Sequence, residues 1–203
     1  MVLPEGFNRL SPDALPAWGG PVGTGVIRGR PEDFRVSEIP LLAPSGEGEH
    51  SWLHVEKTVS NTQWVARQLA RFAGVSPGAV SYAGLKDRHA VTDQWFSVHL
   101  PGMSDPDWQS LSGDDGFRVL SHQRHRRKLK TGALAGNRFV IRVAGSSADP
   151  ERVEQRLRQL QSGGLPNYFG PQRFGRDGDN LRAAAELFAT PKQRVPRAKR
   201  GIY

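Results

Sequence analysis

Two spacings of apolar residues organise this chain. Alternation with period two predicts strands, because successive side chains then point to opposite faces. Residues 34–39 (Phe-Arg-Val-Ser-Glu-Ile) alternate in this way. Residues 51–58 alternate again, with Trp52, His54 and Glu56 facing one way and Leu53, Val55 and Lys57 the other. Further strand-like segments lie at residues 24–30, 79–82, 94–100, 117–120 and 137–143, the last with Phe139 and Ile141 on one face and Val140 on the other. Helical spacing is rarer. Val65, Leu69 and Phe72 fall at i, i+4 and i+7, behind Asn61 as N-cap and ahead of Gly74 as a stop. Asp149-Pro150 opens a second helix that runs through residue 161 with Val153, Leu157 and Leu160 inward, and residues 180–188 form a third. Residues 31–33 read as a turn, and 1–21, 43–49 and 163–178 as irregular segments. Residues 103–116 read as an acidic, polar surface excursion. Mostly strands, three helices and no regular βαβ alternation predict an α+β fold, a largely antiparallel mixed sheet with flanking helices.

Composition narrows the function classes. The 203 residues suit one domain, or one domain and part of another. Lys and Arg number 28 against 20 Asp and Glu, a formal net charge of +8. That balance favours a polyanionic partner, either nucleic acid or an anionic membrane surface. Of the cations, 22 are Arg and 6 are Lys; planar guanidinium forks suit phosphate and stack on bases. No cysteine is present, which removes disulfides, thiolate zinc sites and Cys nucleophiles. The first ten residues include Glu5 and no long apolar run, so no signal peptide is read. No stretch reaches the roughly 18 apolar residues of a membrane span. The expectation is a cytoplasmic protein with a nucleic-acid partner and no membrane.

The sharpest chemical feature is the loop Ala83-Gly84-Leu85-Lys86-Asp87-Arg88-His89, set between two strand segments. One carboxylate sits between two cations, and nearby positive charge favours its ionised form. An ionised, positioned Asp is one of the few side chains able to act as a nucleophile on a sugar or a base. The same residues also suit a solvated turn whose ion pairs contribute little. The apolar strands and the aromatics Tyr82, Trp95 and Phe96 around the loop weigh against that reading, since charge in an apolar setting is costly to hold.

Three other segments suit RNA, each with a plain structural alternative. Arg124-His125-Arg126-Arg127-Lys128-Leu129-Lys130 is either a phosphate track or a solvated face. Its cations Arg124, Arg126, Arg127, Lys128 and Lys130 are candidate RNA contacts, and Lys192, Arg194, Arg197, Lys199 and Arg200 extend the basic character toward the end. Gly136-Asn137-Arg138-Phe139 offers an Asn for the polar edge of a base and a Phe for its face, or else starts a strand with Phe139 in the core. Residues 165–175 interleave Tyr168, Phe169 and Phe174 with Asn167, Gln172 and Arg173, suited to stacking and phosphate contact or to capping a core. No Walker loop, HExxH motif or serine triad occurs, and the six histidines lack metal-ligand spacing.

Taken in order, these segments resemble the TruD family of tRNA pseudouridine synthases. The matching pieces are Gly23-Thr24-Gly25 with Pro31-Glu32-Asp33-Phe34, then Gly46-Glu47-Gly48-Glu49-His50, then residues 83–102. Arg126-Arg127-Lys128-Leu129 and Gly132-Ala133-Leu134 lead into Gly136-Asn137-Arg138-Phe139, and residues 166–175 follow. The match covers residues 22–200. It implies a pseudouridine-synthase-like catalytic domain that residues 1–203 leave incomplete at the C-terminal side, because family members continue into an inserted second domain and return to the sheet. It implies Asp87 as catalytic nucleophile, Phe139 as the aromatic that stacks on the target uracil and Asn137 as its neighbour. Arg28 stands where the family commonly has Lys, a departure that keeps charge and changes geometry. The implied reaction converts uridine-13 in the D arm of tRNA to pseudouridine. The base leaves the stack, Asp87 attacks either ribose C1′ or the base, and the freed uracil rotates and rejoins through C5. The implied partner is tRNA, with no cofactor or metal and no indicated protein partner. The alternatives are an RNA-binding module that lacks turnover and a basic protein of duplex DNA or the ribosome.

Overall fold

A computed structural model of the chain describes residues 17–111, 116–167, 175 and 179–189. They fall into two compact units, one of Thr24–Ser147 and one drawn from Met1–Gly23 and Ala148–Tyr203.

The first unit is built on a mixed sheet. Its strands are β1 (Phe34–Pro40), β2 (His50–Thr58), β3 (Val80–Tyr82), β4 (Val91–His99), β5 (Phe117–His125) and β6 (Leu134–Ile141). The order is β5-β2-β4-β1-β6, with β3 also paired to β4. Among the described residues, only β1 and β4 run parallel; the other pairings are antiparallel, as expected. The alternation read in residues 51–58 appears directly in the burial. Leu53 and Val55 have no exposure and lie in one cluster with Phe96, Val98, Phe117 and Val119, while Trp52, on the opposite face, joins a second cluster with Ala83 and Leu129.

Helix α1 (Thr62–Phe72) covers the first cluster with Val65, Ala66, Leu69 and Ala70. Each fully buried large aliphatic side chain contributes about 1.5–3 kcal/mol relative to an exposed one. Asn61 holds the N-cap place but makes no side-chain cap bond, so packing sustains this helix. Gly74 supplies the left-handed residue (φ +66°) just past its end.

Two expectations for this unit change, and one alternative is removed. Residues 24–30 are not a strand: only Val26 bridges, to Ala144, because Arg28 at φ +60° breaks the extended run. Residues 103–116 are not wholly a surface excursion. Trp108, in a short 3₁₀ turn at Trp108–Leu111, is fully buried against the core and pins the segment. The alternative that placed Phe139 in the core falls away. The residue lies on the edge strand β6, where Phe139, Val140 and Ile141 are all exposed.

The second unit contains α2 (Pro150–Gly163) and α3 (Asp179–Ala189). The Asp149 side chain accepts the Glu151 N–H, and Pro150 begins the helix, as the sequence predicts. Trp18 donates its indole N–H to the Gly164 carbonyl (3.1 Å), and its ring lies against Gly163 where a Cβ would clash. The inward stripe expected on α2 is not realised. No α2 residue is buried and Leu157 is 58% exposed, since the described residues of this unit bring no apolar layer against it. Most of the 165–175 motif, with Arg173, and the basic residues 192–200 lie outside the described residues.

Candidate active site

The Asp87 loop springs from a gap in the sheet. Strands β1 and β3 lie along the same edge of β4, at Val91–Asp93 and Phe96–Val98 respectively. The Glu38 carboxylate closes the gap by accepting the Trp95 N–H (3.2 Å). Its other oxygen meets the Lys86 ammonium at 2.5 Å, and both side chains are buried. Below the loop, Thr62 donates to Gln94 (2.8 Å) and accepts the Lys86 N–H (3.1 Å), while Gln94 donates to the Gly84 carbonyl (3.1 Å). Buried polar groups are thus paired one to the next, which holds the first half of the loop in a single conformation.

Asp87 is not held by the two cations beside it in sequence. Lys86 turns inward to Glu38, and Arg88 donates to the Val59 carbonyl (3.3 Å). The guanidinium that meets the Asp87 carboxylate comes from Arg28, at 3.5 Å, with the two side chains 43% and 46% exposed. The reason is geometric: side chains adjacent in an irregular loop diverge, and the partner is the one the fold brings opposite. Arg28 also lies over the Phe34 ring (3.8 Å to its centroid), and Phe34 meets Phe139 edge-on at 6.1 Å. Asp87, Arg28, Phe34 and Phe139 therefore form one continuous cluster. Asn137 stands two residues before Phe139, on the same face of β6, opposite Glu38 in register. The Phe139 ring keeps 54% exposure, so it is open for stacking.

One site residue was passed over in the sequence. Lys57 is 1% exposed and donates to the carbonyls of Ser60 and Asp87, each at 2.8 Å. Burial pulls its pKa down to about 8, with Lys86 adding to the shift and Asp87 opposing it. The signal was present: Lys57 shares an alternating face with Leu53 and Val55, where an apolar residue is expected.

The candidate RNA residues divide. Arg124 is 17% exposed and committed to Asp105 (2.7 Å) and the Met103 carbonyl (2.7 Å). Arg126 pairs with Glu47. Arg127, Lys128 and Lys130 are exposed, have no ion pair among the described residues, and line a pocket of about 180 Å³ with Trp52 and Leu129. Their loop sits on the root of the Asp87 loop. Trp52 donates to the Arg127 carbonyl (2.9 Å), and Gly132 donates to the Ala83 carbonyl (2.7 Å). Among the described residues, no three His, Cys, Asp or Glu side chains converge as a metal site, and no helix is long and apolar enough to cross a membrane.

Residues 17–188 match the family model of tRNA pseudouridine synthase D (TruD). The chain belongs to the TruD family. It is 54% identical over 192 residues to tRNA pseudouridine synthase D of Methylococcus capsulatus, covering 94% of this chain and 54% of the relative. It is 50% identical over 186 residues to the Pseudomonas putida protein of that name, covering 90% and 53%. A crystal structure from Methanosarcina mazei, assigned to TruD, superposes with a TM-score of 0.65 at 30% identity, covering 90% of this chain and 45% of that one. The α+β architecture read from the sequence is therefore that of TruD. The chain spans about half the length of the curated relatives it matches.

Proposed function

We propose that this site isomerises a uridine of tRNA to pseudouridine, with residues 1–203 forming part of the family's catalytic domain. One observation carries the reading: a half-exposed carboxylate, Asp87, stands beside the Arg28 guanidinium in the same cluster as the open Phe139 ring. An extruded uracil stacks on Phe139 while Asn137 meets its polar edge. Asp87 attacks as the nucleophile, at ribose C1′ or at the base. The N1–C1′ bond breaks, the uracil turns, and a C5–C1′ bond forms; the bond between Asp87 and the substrate breaks, returning the free carboxylate, and the C5 proton is lost while N1 gains one, so the product is an isomer. Arg28 sets a guanidinium beside the reacting carboxylate. Uridine-13 of the D arm is the proposed target, on the family resemblance. Arg127, Lys128 and Lys130 supply the phosphate contacts.

The test is mass-spectrometric mapping of pseudouridine in tRNA incubated with the chain and with its Asp87→Asn variant. Product at uridine-13 that disappears with the variant supports the reading. Equal product from both removes Asp87 as nucleophile. Salt-sensitive tRNA binding without product in either reduces the chain to an RNA-binding module.

A further inference from the structure

We propose that Lys57 is the positioning residue of this site: its ammonium, held between the carbonyls of Ser60 and Asp87, fixes the peptide from which the Asp87 carboxylate projects. The inference rests on the reading of Asp87 as the reacting carboxylate.

Three observations carry it. First, Lys57 is a buried ammonium with two carbonyl acceptors and no carboxylate ion pair among the described residues. Such a group is costly to bury, and the strand pattern at this place calls for an apolar side chain. Second, its acceptors join two separate segments, the corner after β2 and the Asp87 loop. That corner is itself strained. Val59, β-branched, adopts φ +54°, and it exchanges further bonds with the loop: its carbonyl accepts from Arg88 and its N–H donates to the Ala90 carbonyl. Third, the side-chain partner of Asp87, Arg28, is half exposed at 3.5 Å, and an exposed pair of this kind orients weakly. The direction of the carboxylate is therefore set from its backbone, by Lys57.

The arrangement makes the site sensitive to alkali. The charged groups facing the ammonium are Asp87 and Lys86 on the loop. The residues opposite it on the neighbouring strands, Thr92 on β4 and Phe117 on β5, are uncharged. With its pKa near 8, Lys57 loses its proton within the working range of an assay, and the neutral amine forms weaker bonds to the two carbonyls.

The experiment compares the chain with its Lys57→Met, Lys57→Arg and Asp87→Asn variants. Pseudouridine formation on tRNA is followed from pH 6 to 9.5, and amide hydrogen exchange is read over residues 83–90. Lys57→Met is expected to lower kcat by about 10²-fold with KM little changed, the scale of a small misplacement of a reacting group. The unmodified protein is expected to lose kcat on the alkaline side with a midpoint near 8, and Lys57→Arg to recover part of the kcat without that limb. Protection at residues 83–90 is expected to fall in Lys57→Met, and in the unmodified protein above pH 8, while α1 and β4 stay protected. A Lys57→Met variant with unaltered kcat, pH profile and protection overturns the proposal, as does a loss of protection spread evenly over the sheet. Full activity in Asp87→Asn sinks the reading of the site instead. Without turnover from any form, the exchange data alone decide.

Discussion

The sheet has two unlike halves. On the β5-β2-β4 side, α1 and Trp108 close over Leu53, Val55, Phe96 and Val98, none of which retains exposure. On the β1-β6 side, Phe139, Val140 and Ile141 are about half exposed, and the Asp87 loop stands open beside them. Among the described residues, the two non-glycine residues with positive φ, Arg28 and Val59, are bonded to this loop or its carboxylate. Each left-handed residue costs roughly 1–2 kcal/mol, which the closed half offsets through apolar burial. On the proposed function, stability and chemistry draw on different residues of one sheet, and substitutions should separate them.

The largest effect is expected at Asp87. On the proposed function, Asp87→Asn should lower kcat on the order of 10⁴-fold, about 5.4 kcal/mol of barrier, because no other group replaces the proposed nucleophile. Its unfolding midpoint should hardly move, since the pair with Arg28 is half exposed. The reverse is expected in the closed half. Trp108→Ala and Leu53→Ala should each destabilise by about 3–5 kcal/mol in denaturant unfolding, through the cavities they leave. Per folded molecule, their kcat should match the parent. A Trp108 variant that unfolds normally but has lost kcat would erase the division between the halves.

The closed half was the legible one. Period-two alternation put Leu53 and Val55 on one face, and the i, i+4 spacing put Val65 and Leu69 on one stripe, because burial imposes those periods on a sequence; the structure packs that face and that stripe together. The open half follows no such rule. Phe139 suits a core strand equally well until its strand is seen at an edge. Arg28 meets Asp87 only through folding, across 59 positions, so the cations beside Asp87 in sequence were the wrong ones to pair with it. Trp108 hid in an acidic stretch that by composition belongs at the surface. Lys57 was visible as a charged residue on an apolar face, but its acceptors are backbone carbonyls, which no sequence pattern displays.

Smaller effects sharpen the comparison within the open half. Phe139→Ala should reduce kcat/KM by about 1–3 kcal/mol, the range for losing one base–aromatic stack, with little change in stability. The basic run should divide as its geometry does. Replacing Arg127 and Lys128 by Gln should leave folding intact and flatten the salt dependence of tRNA binding, each lost phosphate contact lowering the logarithmic slope by about 0.7–0.9. Arg124→Gln should leave the slope unchanged and lower stability, because it removes the ion-pair partner of Asp105 and loosens the segment that carries Trp108. Equal slopes for all three substitutions would mean that the structural and RNA-facing cations are not distinct.

The smallest effect concerns the join between the halves. Asp93 on β4 accepts from Ser37 on β1 (2.6 Å) and is bonded to His54 on β2 (2.7 Å), so one carboxylate ties three strands. Burial acts to raise its pKa, but the hydrogen bonds from His54 and Ser37, aided by the charges of His54 and Arg35, outweigh it and leave the value below 3.8. A carboxylate with a depressed folded pKa stabilises the fold fully above its unfolded value and loses that contribution as pH falls through the folded one. The protein should therefore lose stability below about pH 4 more steeply than its Asp93→Asn variant, whose amide does not titrate. Burial acts to raise the pKa of Asp105, but its bonds from Arg124 and Trp108 outweigh it and lower the value; this group is common to both proteins and cancels in the difference. Hydrogen exchange at pH 3.5 should rise in β1 and β6 before it rises in β2 and β5, because the closed half keeps its apolar cover when the tie weakens. Superimposable acid profiles for the two proteins would show that the halves are joined by backbone pairing alone.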